Sequence, residues 1–262
     1  VQEEMVTKAV ILAAGRGTRM RDLTQEIPKP MLKVQGKPIL QHILEGLMSV
    51  GIRKFCIVTG FRAEVVEGYF GDGKKYGCEI SYVRQEVQDG TGKAPELAKD
   101  WVGKDAFLLT YGDILVKPET YREMVERFGG KHSSGVEFDG VITVTPGQDV
   151  TKGGLNFFCP EFCLQQVVEK PSAAEVERYT QEGHIKAGEP VWYNAGIYIF
   201  KPIVFEFTGK LQKSPRGEYE LTDAINGMCK AGLRIAGLKI AGRWVDVRDP
   251  ETLEGLQSQQ GG

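Results

Sequence analysis

Short apolar runs alternate along the chain with longer stretches whose apolar residues recur every three or four positions. Residues 8–12 (KAVIL) predict a strand, and residues 38–51 (PILQHILEGLMSVG) carry helical spacing that stops at Gly51. Residues 54–58 (KFCIV) predict a second strand, 63–70 (AEVVEGYF) a helix, and 78–83 (CEISYV) a third strand with alternation. Residues 93–102 (KAPELAKDWV) read as a short helix with Pro95 in its first turn, and 106–111 (AFLLTY) as a fully apolar fourth strand. This alternation of strand and helix predicts an α/β fold with a doubly wound, mostly parallel, Rossmann-like sheet.

From about residue 138 the texture changes. GVITVTP, GLNFFC and CLQQVVEK predict successive strands joined by short turns, and the aromatic, alternating 192–200 (WYNAGIYIF) predicts another. Helices are expected near 201–208 and 217–231, a strand at 233–240, then GRWVDV, a last helix at 249–257 and a polar tail. No internal repeat is present, and no hexapeptide repeat of a left-handed β-helix follows. The expectation is a single domain over 1–262, ordered over about 6–257, in which a mixed-sheet region joins the doubly wound core.

Composition narrows the choice of partner. The formal net charge is −2 and no basic block stands out, so neither nucleic acid nor a membrane is expected as a partner. A phosphate-rich ligand would then be met by local cations. No apolar run reaches the length of a bilayer span, and the acidic start VQEEM is the opposite of a signal peptide. Five scattered cysteines argue against a disulfide framework and for a cytoplasmic protein. Cys159 and Cys163 are close, but no further metal ligand is near them in sequence, so they read as small core fillers.

The most informative stretch follows the first strand: LAAGRGTRMRDLTQEIPKPML, residues 12–32. Gly15 and Gly17 let the backbone turn tightly and approach a ligand, so that its N–H groups can converge on anionic oxygens. Arg19 can fork two bonds to a phosphate, and Lys29 stands between Pro28 and Pro30, which hold it with little freedom to lose. The loop is neither a complete dinucleotide fingerprint, since Met20 stands where a third glycine is needed, nor a GxxxxGK[ST] loop. Asp113 ends the fourth strand, which places it at the edge of the sheet where open α/β folds bind ligands. Asp249 is expected to cap the last helix, with Pro250 at its first position.

These motifs resemble the signature of the sugar-1-phosphate nucleotidylyltransferase family, and the resemblance covers nearly the whole chain. The loop and its proline-lysine-proline are followed in order by QEVQDGTG (85–92), YGD (111–113), EKP (169–171), YNAGIYIF (193–200), GEYELTDAI (217–225) and WVDVRDP (244–250). The resemblance implies that Leu12, Ala13, Ala14, Gly15, Gly17, Thr18, Gln85, Gly90, Thr91 and Gly112 bind a nucleoside triphosphate. It implies that Gly154, Glu169, Lys170 and Asn194 bind a sugar 1-phosphate, with Thr222 a weaker candidate that could equally cap its helix. Arg19, Lys29 and Asp113 are implied in catalysis, and Asp113 with Asp246 in holding Mg2+.

The Gln85 pattern looks most like the uridylyl- and thymidylyl-transferring branches. Transfer of a cytidylyl or guanylyl group to a heptose, polyol or choline phosphate stays open, as do a non-catalytic binding homologue and a homo-oligomeric state. Two positions depart from the family's pattern: Asp22 where proline is frequent, and Arg248 where glycine is frequent.

Overall fold

The computed structural model describes residues 6–258; the acidic first five residues and the last four of the polar tail lie outside them. Among the described residues a nine-stranded sheet forms the centre. Its parallel half runs Phe107–Tyr111, Lys8–Leu12, Lys54–Thr59, Glu79–Arg84. Trp192–Phe200 then pairs antiparallel with Phe107–Tyr111, and next come Gly154–Phe158 and Leu164–Glu169. Gly140–Thr145 also pairs with Trp192–Phe200, and Ile235–Lys239 pairs parallel to it.

Alternate residues of each central strand feed two different cores, which is why these strands are apolar throughout. Ala9, Ile11, Phe55, Ile57 and Leu108 face the helices Ile39–Ser49, Ala63–Phe70, Pro118–Gly129 and Pro250–Gln257. Val10, Cys56, Val58, Phe107 and Leu109 face Lys99–Val102, Val204–Thr208 and Leu221–Lys230. A third, small core gathers Val150, Leu155 and Tyr193 with Val176, Tyr179 and Trp244 in the mixed region.

The expected elements are present with four corrections. The helix of 93–102 is a 3-10 turn, Ala94–Ala98, leading into Lys99–Val102. The helix expected from 217 starts at Leu221, because the residues before it fold into a turn: Gly217 N–H bonds to Ser214 O, and Tyr219 N–H to Asp89 O. Pro118–Gly129 and Ala173–Gln181 are helices that the apolar pattern did not announce. Asp249 does cap the last helix, accepting from the Thr252 N–H at 2.8 Å. No helix among the described residues is long and apolar enough to cross a membrane.

Candidate active site

The parallel strands end at one edge of the sheet, and the loops leaving Lys8–Leu12 and Phe107–Tyr111 meet there. Ala13 N–H bonds to Val58 O and Gly112 N–H to Leu12 O, both at 2.8 Å, so the first loop is anchored to both neighbours. Gly17 has φ +65°, and a Cβ there would lie 2.8 Å from Lys29 Cβ. The bare backbone at Gly17 therefore makes room for the lysine. Gly15 meets no neighbour within 4 Å and keeps open space instead. Lys29 emerges from the short turn Lys29–Met31, its side chain 12% exposed, and its Nζ lies 2.5 Å from Asp113 Oδ2.

A cavity of about 380 Å³ opens beside this pair. Every residue expected to bind the nucleotide lines it: Leu12, Ala13, Ala14, Gly15, Gly17, Thr18, Gln85, Gly90, Thr91 and Gly112. Arg19, Lys29 and Asp113 stand on the same wall. Gly90, at φ +119°, packs so closely on the backbone of Tyr219 that a Cβ would fall 2.3 Å from its carbonyl oxygen. Gly92 N–H completes that seam by donating to Tyr219 O at 2.8 Å.

A second cavity, of about 230 Å³, adjoins the first and shares Arg19, Thr91, Tyr111, Asp113 and Glu218 with it. Gly154, Glu169, Lys170, Asn194, Thr222 and Asp246 line it. Lys170 holds a left-handed backbone, φ +42°, secured by its N–H to Gly153 O. A non-glycine residue in that conformation is a strained placement that the surroundings must enforce. Asn194 sits where the pairing of Trp192–Phe200 slips register, and its Nδ2 donates to Tyr198 Oη at 2.8 Å. Thr222 does not cap its helix, where Glu220 takes the cap position; its hydroxyl donates to Glu169 Oε2 at 3.2 Å. Burial first, and then the neighbouring Glu220 charge, push the Glu169 carboxyl above the usual carboxylate range. Arg216 moderates this, 2.7 Å from Glu220 and 3.9 Å from Glu169.

Asp113 and Asp246 come together through a two-stranded ribbon, Ile114–Val116 with Trp244–Asp246. Asp246 pairs with Ile114, and Val247 N–H bonds to Asp113 O at 2.9 Å. Burial and the Asp113 charge push the Asp246 carboxyl up, against the opposing pull of Lys29, Arg248 and Arg19. Two half-buried carboxylates brought together suit a divalent cation, and Mg2+ completes its shell with phosphate oxygens and waters. Among the described residues no group of three or more histidine, cysteine or acidic side chains is placed to hold a metal ion, so this pair would be their whole share. Cys163 N–H donates to Cys159 Sγ across a turn, away from both cavities.

Sequence reasoning missed several residues that the fold adds. Trp244 is fixed by its Nε1 on Ala195 O at 2.9 Å and faces the second cavity with Tyr193 and Tyr198. Glu218 and Gln88 join from loops, and Gln88 Nε2 donates to Ala14 O at 2.6 Å. Arg248, one of the two departures, lines the first cavity with its Nε 3.4 Å from Asp246 Oδ2. Asp22, the other, lines neither cavity.

Residues 8–259 match the model of a family described as nucleotidyl transferase. The chain is 32% identical over 247 residues to the low-salt glycan biosynthesis nucleotidyltransferase Agl11 of Haloferax volcanii, covering 94% of this chain and 64% of that one. It is 29% identical over 244 residues to the UTP–glucose-1-phosphate uridylyltransferase AglF of the same organism, covering 93% and 92%. It spans about half the length of several other curated relatives. A crystal structure of UDP-glucose pyrophosphorylase complexed with UDP-glucose superposes with a TM-score of 0.79 at 25% identity, over 97% of this chain and 98% of that one.

Proposed function

This chain belongs to the nucleotidyl transferase family, and we propose that it transfers a nucleotidylyl group from UTP or dTTP to a hexose 1-phosphate, releasing pyrophosphate. One observation carries the reading: two cavities meet at a wall that holds Arg19 and Asp113, with Lys29 on the first cavity's side of it and Asp246 on the second's. The first cavity suits a base and its phosphates; the second suits a hydroxyl-rich ring whose phosphate points back at the first.

A sugar 1-phosphate has a second pKa of about 6 and is largely dianionic at neutral pH. Its oxygen is already a nucleophile, so no base has to remove a proton. Accordingly, no histidine lines either cavity among the described residues. The phosphate oxygen attacks the α-phosphorus in line, a new P–O bond forms, and the bond to the bridging oxygen breaks. The electron pair leaves with pyrophosphate. The obstacle is repulsion between anions, and the remedy is placement and positive charge. Lys170 holds the attacking phosphate, while Lys29 and Arg19 take up charge on the triphosphate. Glu169, steadied by Thr222, accepts from the sugar hydroxyls. A magnesium ion held by Asp113 and Asp246 would add Lewis-acid neutralisation of the phosphate oxygens.

The test is pyrophosphate release from five nucleoside triphosphates against a panel of sugar phosphates, with and without Mg2+. UTP or dTTP with a hexose 1-phosphate is expected to lead. Release with CTP or GTP and a heptose, polyol or choline phosphate would replace this reading with its alternative.

A further inference from the structure

We propose that Gln88 is the residue that sets a preference for uracil or thymine over cytosine. This deepens the nucleotidyl-transfer reading of the first cavity and rests on it.

Two glutamines line that cavity, and they differ in freedom. Gln85 is held by its backbone, with its N–H on Thr59 O at 2.7 Å, and no hydrogen bond among the described residues restrains its carboxamide. A free carboxamide can turn over, presenting either its donor or its acceptor, so alone it reads opposite base edges equally well. Gln88 is different. Its Nε2 donates to the Ala14 carbonyl oxygen at 2.6 Å. Turning that carboxamide over would set oxygen against oxygen, so the Ala14 carbonyl fixes which atom is which. Oε1 is left without a donor among the described residues, a fixed acceptor on a residue that lines the cavity.

A fixed acceptor has a definite preference. The imide edge of uracil or thymine presents an N–H between two carbonyls. The N–H meets Gln88 Oε1, and the freely turning Gln85 supplies a donor to a flanking carbonyl. Cytosine presents a bare ring nitrogen at the same position, acceptor against acceptor. Once a base covers the carboxamide, a polar atom left facing its own kind is costly, and selectivity arises from that mismatch. The Ala14 carbonyl also receives Phe61 N–H at 3.2 Å, so the atom that orients Gln88 is itself held by the sheet edge.

The experiment measures equilibrium binding of UTP, dTTP, CTP, ATP and GTP to the full chain, wild type against Gln88→Met and Gln88→Asn. Methionine removes both polar atoms at similar length. Asparagine keeps the amide but withdraws it from Ala14. Wild type is expected to bind UTP or dTTP at least about tenfold more tightly than CTP, and both variants to lose most of that ratio. Gln88 is exposed in its loop, so thermal midpoints should stay together. A CTP or ATP preference in wild type, or an unchanged UTP-to-CTP ratio in the variants, would overturn the proposal. Turnover enters separately: intact base preference without pyrophosphate release from any pairing would sink the transfer reaction and leave the Gln88 assignment standing.

Discussion

At the scale of single residues, Lys29 Nζ stands 2.5 Å from Asp113 Oδ2 across 84 positions of sequence, a cation held in place by the carboxylate at a strand end. Lys29→Ala is expected to lower kcat by about 10²–10³ with a smaller effect on sugar-phosphate binding, as for loss of a preorganised charge. Steady-state kinetics with the sugar phosphate varied will show it. Asp113→Asn is expected to abolish nearly all Mg2+-dependent turnover while circular dichroism stays unchanged. Glu169 makes a different prediction, about stability. Its carboxyl is raised by burial and by Glu220, so the ionised form is held at a cost. That cost is fully present above the raised value and fades as pH falls towards the ordinary carboxylate range, where both folded and unfolded chains take up the proton. Glu169→Gln should therefore raise the melting temperature at pH 7, by a margin that shrinks in acid, while KM for the sugar phosphate rises. Gln88, Glu218 and Trp244 escaped the sequence because loops and a late ribbon deliver them, and nothing in their neighbours' pattern says where those loops go.

At the scale of elements, the strands were read well because each buries both faces and is apolar throughout. The helices packed on them were legible only where an apolar stripe is strong. Pro118–Gly129 buries Tyr121, Met124 and Phe128, a narrow stripe set in an otherwise charged sequence that gives no apolar run. Ala173–Gln181 buries no residue fully and lends only half-buried Val176 and Tyr179 to the third core, a stripe one turn long. Its one mark is the capping box of Ser172 and Glu175, with Glu175 N–H on Ser172 Oγ at 3.2 Å. Ser172→Ala should cost about 1 kcal/mol, read as a shift in denaturant midpoint with an unchanged slope. The loop carrying Gly90 is more exacting. Gly90→Ala adds a left-handed strain of about 1–2 kcal/mol to a collision with the Tyr219 backbone. It should lower stability and raise KM for the triphosphate more than for the sugar phosphate.

At the scale of the whole molecule, Trp192–Phe200 runs through the join between the parallel half and the mixed region, pairing through Ile197–Phe200 with Phe107–Tyr111 and through Trp192 and Tyr193 with Gly154–Phe158. The two regions should therefore unfold together. Trp192 and Trp244 lie in the mixed region, while Trp101 packs against the core on the parallel side. Tryptophan fluorescence and far-ultraviolet circular dichroism are accordingly expected to give one midpoint, and an earlier fluorescence transition would show the regions parting. The wall common to both cavities has a further consequence. Arg19, Thr91, Tyr111, Asp113 and Glu218 cannot adjust to one occupant without altering the seat of the other. Thermodynamic linkage then demands reciprocity: whatever factor the triphosphate imposes on the affinity for the sugar phosphate, the sugar phosphate must return in equal measure.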